Sequence, residues 1–294
     1  MQSNYTQCAI ALCASILGSI LITGCSDEDA LKQGANLAAN TESQNQETPP
    51  SLAPPVKPSL EDLGVRLLPK TGSFNGDYYK ITRGMDLLYF YAHNFNGEFD
   101  TAAAIAKVYP ISDDLGDKKL ASLIDKYRDG DQFSKRDTIK LIKPILNDKI
   151  SKVSGVRNIT IDISSGLSLG DYDFERQGFL TNNSFKDESH EDNFTPYKRG
   201  SIRFPDVIDH KLSFINASDF DLIKIPEDAA REISQYNGKY SANVNFKLYG
   251  FIHSIAQDKN DDYKIKYVVM QVTKIDLVSN LLNDPVRTLA TVEL

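Results

Sequence analysis

Tryptophan is absent from these 294 residues, and cysteine occurs only three times, at Cys8, Cys13 and Cys25. Without an indole the aromatic core has to be built from single rings, of which the chain holds 14 Tyr and 14 Phe. Two of the cysteines precede Gly24, so a chain cut between Gly24 and Cys25 keeps one thiol and can form no internal disulfide. Histidine is scarce as well. His93, His190, His210 and His253 show neither H-E-x-x-H nor any other ligand spacing, and no glycine-rich phosphate loop occurs, so no metal or cofactor is expected. A net charge of −7, with no basic patch interleaved with aromatics, argues against nucleic acid as a partner.

Charge is missing altogether from residues 1–24. Residues 8–22 form a run of fifteen that is apolar except for Ser15, Ser19 and Gly18. That length suits the hydrophobic region of an export signal and falls short of the roughly 20 residues of a membrane span. The segment before it has no Lys or Arg, leaving the terminal amine as its only positive group. The run closes on Leu21-Ile22-Thr23-Gly24-Cys25, which resembles the lipobox of bacterial lipoproteins. The resemblance implies cleavage between Gly24 and Cys25, acylation of Cys25, and attachment to the membrane through that lipid. Ser26 directly after the cysteine implies transfer to the outer membrane of a Gram-negative envelope. A lone thiol that carries an acyl group also suits an oxidising compartment.

Beyond Cys25 no apolar run is long enough to cross a membrane. Residues 26–59 are rich in Asn, Gln, Ala and Pro and poor in bulky apolar side chains, a composition that cannot offset ordering entropy by burial. With Cys25 they read as a lipidated tether, reaching about 30–60 Å.

From residue 60 to about 155 the signals are mostly helical. Residues 86–95 are apolar enough to be a buried helix, residues 101–108 contain Ala102-Ala103-Ala104, and residues 118–127 carry Leu120, Leu123, Ile124 and Tyr127 on one face. Residues 134–153 repeat Ile139, Ile142, Leu146, Ile150 and Val153 at spacings of three and four; Ser134 and Asp137 suggest its capping box, and Pro144 a kink or break. After Gly155 the period changes to two. Ile159, Ile161 and Ile163 alternate with polar residues, a strand pair is expected over 167–180, and short strands over 201–204 and 211–215. A helix beginning at Pro226 interrupts the strands. Residues 240–256 and 263–277 form a long hairpin, followed by a strand at 287–292. The expected class is α+β: an N-terminal helical block, 60–155, then a mainly antiparallel β region, 156–294, with a long C-terminal hairpin, the two making one domain.

Asp129-Gly130-Asp131-Gln132-Phe133 with Arg136-Asp137, and later Tyr172-Asp173-Phe174 with Gly178-Phe179, resemble the pattern of uncharacterised bacterial exported proteins over roughly residues 80–290. The resemblance implies no activity. Gly166-Leu167-Ser168-Leu169-Gly170 matches the nucleophile elbow of serine hydrolases, but the helix that must follow the serine has no room before Gly178. Asp258, Asn260 and Asp262 hit three positions of a calcium loop, yet Tyr263 and Val269 replace its glycine and its bidentate acid. The pairs Asp129/Asp131, Asp171/Asp173 and Asp219/Asp221 fit turns or caps. His190, flanked by acids, sits in a polar loop over 181–199. These readings favour a non-enzymatic, lipid-anchored module that contacts an envelope protein. Capture of a small ligand or polysaccharide is the alternative, and a hydrolase using Ser168 the least favoured.

Overall fold

The computed structural model describes residues 59, 64–70, 74, 76–109, 117–186, 200–236, 244–258, 264–279 and 286–294. All belong to the compact unit Val56–Leu294. Gly24, Cys25 and nearly all of the expected tether lie outside the described residues.

The two longest strands, β9 (Val244–Gln257) and β10 (Lys266–Ser279), pair antiparallel along their full length. On β9, Val244, Phe246, Leu248 and Ile252 are buried in the main core, while Asn245, Lys247, Tyr249 and Phe251 stand on the opposite face. Strict alternation makes that pairing the spine of the sheet, because a slip of one residue would turn the apolar set outward. Each spine strand then takes two partners end to end on its outer side. β1 (Val65–Leu67) pairs with residues 254–256 of β9, and β3 (Asn158–Ile163) with residues 246–251. β7 (Val207–Phe214) pairs with residues 266–270 of β10, and β11 (Thr288–Glu293) with residues 274–278. β2 (Tyr79–Lys80) extends the sheet beyond β3, and β6 (Ser201–Phe204) beyond β7. A second sheet holds β4 (Leu167–Asp173), β5 (Gly178–Asn183) and β8 (Leu222–Lys224).

Four helices lie between β2 and β3: α1 (Gly84–Asn94), α2 (Thr101–Ile105), α3 (Lys118–Asp129) and α4 (Gln132–Lys152). α1 is apolar nearly all round, as a helix enclosed by other elements must be, and it packs on β7 and β10 with α4 beside it. α3 and α4 begin at Asp117 and Asp131, whose carboxylates accept from the amides of Leu120 (3.1 Å) and Ser134 (2.8 Å). Asp131, not Ser134, therefore caps α4, and the helix runs on through Pro144 where a break was expected. α5 (Glu227–Tyr236) follows Pro226 and buries Ala230 and Ile233.

This architecture corrects the expected α+β order. Among the described residues strand outweighs helix, 39 % against 33 %. Residues 60–155 are no helical block set ahead of a β region, since they contribute β1 and β2 to the main sheet. That sheet is mixed, because β7 runs parallel to β10 and β2 parallel to β3. Strands of three and two residues are too short to show a period of two, which is why a helical reading covered them.

Candidate functional site

Ser168 lies inside β4, and the chain continues through Gly170 as strand to Asp173 instead of turning into a helix. Its Oγ accepts from Asn182 Nδ2 of the neighbouring strand at 3.4 Å. The glycine that needs its freedom is Gly166, at φ +84°, where the chain turns from β3 into β4; a Cβ there would meet Phe185 and Ser184 at 2.8 Å. A strand-to-helix elbow is thus absent at this motif.

The acidic pairs serve local structure. Asp131 caps α4, Asp173 accepts from the amides of Glu175 and Arg176 in the β4–β5 turn, and Asp221 holds Lys186 and Asn183. Asp258 is described, whereas Asn260 and Asp262 are not, and His190 also falls outside the described residues. Among the described residues no group of three or more His, Cys, Asp or Glu is placed to hold a metal ion.

The unexpected charge chemistry is beneath α1. The first two amides of that helix, Gly84 and Met85, donate to Asp206 at 2.8 and 3.0 Å, although Asp206 lies more than 120 residues away in the β6–β7 turn and is 1 % exposed. Asp86, at the third position of the helix, accepts from the amides of Thr82 (2.9 Å) and Arg83 (3.2 Å) and from the Tyr79 hydroxyl (2.9 Å). Two carboxylates therefore face the positive end of one helix. Burial, together with Asp86, pushes the Tyr79 phenol well above its ordinary pKa.

Three residues beyond Asp206, on β7, Asp209 accepts from Lys266 Nζ at 2.6 Å and lies 2.7 Å from His210 Nδ1. Burial opposes ionisation of Asp209, but these hydrogen bonds and the ammonium charge outweigh it and hold the carboxyl at about 2. His210 is 1 % exposed, and burial lowers its pKa against the pull of Asp209. The imidazole is accordingly neutral, donates from Nδ1, and keeps a bare Nε2 with no hydrogen-bond partner. The ring of Tyr91 from α1 meets it edge on at 5.5 Å. Burial, with Asp209 adding to it, raises the Tyr91 phenol to about 12. Because no nucleophile meets Nε2, the cluster resembles a catalytic dyad only in composition.

Tyr91 also lines a cleft of about 660 Å³ between the C-terminal end of α1 and the β1–β9 pair. Tyr91 and Phe95 stack at 5.6 Å with planes 21° apart and form one wall; β1 and the end of β9 form the other, with Arg66 and its strand partner Ile255 on the face toward α1 and Val65 on the opposite face. Leu67 and Phe95 are 53 % and 37 % exposed at the opening. Arg66 enters from β1 and donates through Nη1 to the carbonyl of Asn94, the last residue of α1. A guanidinium near the negative end of a helix is electrostatically favoured.

Sequence reasoning missed both the cluster and the cleft. Asp206 follows Pro205 in what reads as a plain turn, and Asp209-His210-Lys211 looks too polar for a buried strand. The cleft needs β1, which has no sequence signal of its own. No protein-family profile, no curated protein and no solved structure matches this chain.

Proposed function

We propose that this chain is a lipid-anchored, non-enzymatic binding module of the cell envelope. In this reading the acyl group on Cys25 fixes it to the outer membrane, residues 26–59 hold the folded unit away from the bilayer, and the cleft beside α1 takes up a ligand. The cleft is the observation that carries the binding role. It is concave, largely apolar and within the size range of small-molecule sites, and it presents a few polar groups to orient what enters. Contact with an envelope protein is the other non-catalytic role; a concavity between one helix end and one strand pair suits a small molecule better than a broad protein face. The strand setting of Ser168 gives a hydrolase no support.

Two measurements test the two halves. Metabolic labelling with a clickable palmitate should tag the wild-type chain and not Cys25→Ala; equal labelling removes the anchor. For the cleft, thermal melts of the full chain with 2-naphthoate or 2-naphthamide should show a saturable rise with at least one of the two, lost in Phe95→Ala. No saturable response to either compound removes the binding role.

A further inference from the structure

We infer that the cleft selects a flat, ring-bearing anion, with Arg66 as the residue that recognises its carboxylate. The inference rests on the binding role proposed above and names the ligand's chemistry.

The ring follows from the wall. Tyr91 and Phe95 lie face to face rather than edge on, the only stacked ring pair recorded among the described residues, and Phe95 is more than one-third exposed at the opening. A third flat ring can extend that stack while its rim packs on Ile255, the strand partner of Arg66 on the face toward α1.

The charge follows from Arg66. A guanidinium has five N–H donors, and here its recorded bond is the one from Nη1 to the Asn94 carbonyl. Among the described residues it forms no ion pair with a carboxylate, whereas Arg128, Lys152 and Arg231 each have one. Among the described residues the remaining cleft-lining side chains with polar atoms are Tyr91, Asn96 and Gln257, none of them a carboxylate. An incoming carboxylate can be held bidentately by the planar fork, as an ammonium could not hold it. Nearby charge reinforces the preference: burial lowers the His253 pKa, and Arg157 and Lys70 lower it further, with no acid among the causes.

The test compares a matched pair. 2-Naphthoate and 2-naphthamide have the same ring body and differ in charge, and each is titrated against the full-length chain by calorimetry. Wild type should bind the carboxylate at least ~10-fold more tightly than the amide. Arg66→Gln should bring the two to within ~2-fold of each other, and Arg66→Lys should restore part of the difference. Equal binding of both compounds to wild type, or a preference unchanged in Arg66→Gln, overturns the inference and leaves the binding role standing. Binding of neither overturns both.

Discussion

Replacing Asp206 by alanine should be among the most damaging single substitutions outside the apolar core. The side chain is 1 % exposed and accepts two hydrogen bonds, from the amides of Gly84 and Met85, at the start of the helix that packs on both β7 and β10. A hydrogen bond to a charged acceptor contributes about 1.5–3 kcal/mol, and a buried donor left unpaired costs about 1–3 kcal/mol. The two amides share one carboxylate, so the terms overlap, and a loss of about 3–5 kcal/mol is expected. Against a total of about 5–15 kcal/mol for a domain, that is a large fraction. Asp206→Asn keeps the shape and one acceptor oxygen but turns an amide N–H₂ toward the other donor; it should lose less than alanine. Gly84→Ala probes the same contact from the helix side, because a Cβ there would sit 2.8 Å from Val207 Cβ and 3.0 Å from Asp206 Oδ1. Urea unfolding followed by circular dichroism supplies the ranking, with the exposed Asp219→Ala as reference. If Asp206→Ala unfolds within ~1 kcal/mol of that reference, the carboxylate is not what holds α1 to the sheet.

Ser168→Ala should leave melting temperature and the absence of fluorophosphonate labelling unchanged, whereas Gly166→Val should destabilise, since φ is +84° and Phe185 and Ser184 occupy the space. Labelling of wild type that vanishes in Ser168→Ala would overturn the non-enzymatic reading. Stability should also fall in acid. The pKa of His210 is lower folded than the unfolded value of about 6.5, so the unfolded chain takes up the proton first and stability is lost as pH drops from about 6.5 through the folded value. Asp209, held at about 2 in the fold against about 3.9 unfolded, adds a further loss as pH falls from about 4 through 2. Melts at pH 7, 6 and 5 should be shallower in pH dependence for His210→Gln than for wild type, and identical slopes would show that His210 is not the group responsible.

Elements with a repeated pattern were legible. Ile159, Ile161 and Ile163 are buried on β3 as their alternation requires, and the 240–256 and 263–277 segments pair as β9 and β10. α3, α4 and α5 fall close to their expected bounds because each carries its apolar residues at helical spacing. What failed has physical reasons. β1 and β2 are held by their partners rather than by their own residues, and three residues cannot display a period. β7 was expected only from residue 211, since Asp209 and His210 interrupt its apolar run; the ion pair with Lys266 that lets them be buried comes from a strand more than 50 residues away. Of the two glycines that flank Ser168, Gly166 makes the turn, at φ +84°, and Gly170 lies within β4. The cleft depends on Arg66, Tyr91 and Ile255 meeting, which no local pattern encodes.

The buried charges also settle a matter that hydrophobicity leaves open. β7 and β10 are joined in parallel over five residue pairs, from Lys266 opposite His210 to Met270 opposite Phe214, and the chain between them is more than 50 residues long. No turn fixes their register, in contrast to a tight hairpin. A slip of one residue would send His210, Leu212 and Phe214 to the wrong face and is excluded by burial alone. A slip of two keeps every apolar side chain on its proper face, so the hydrophobic pattern cannot reject it. The slip of two that sets Lys266 opposite Leu212 would, however, carry its ammonium about 7 Å of strand further from Asp209 and leave that buried carboxylate without its partner. Breaking a buried ion pair costs about 3–5 kcal/mol, enough to leave the slipped register below one part in a hundred. The side chains that made β7 unreadable as a strand are those that bar this slip where the apolar pattern would allow it.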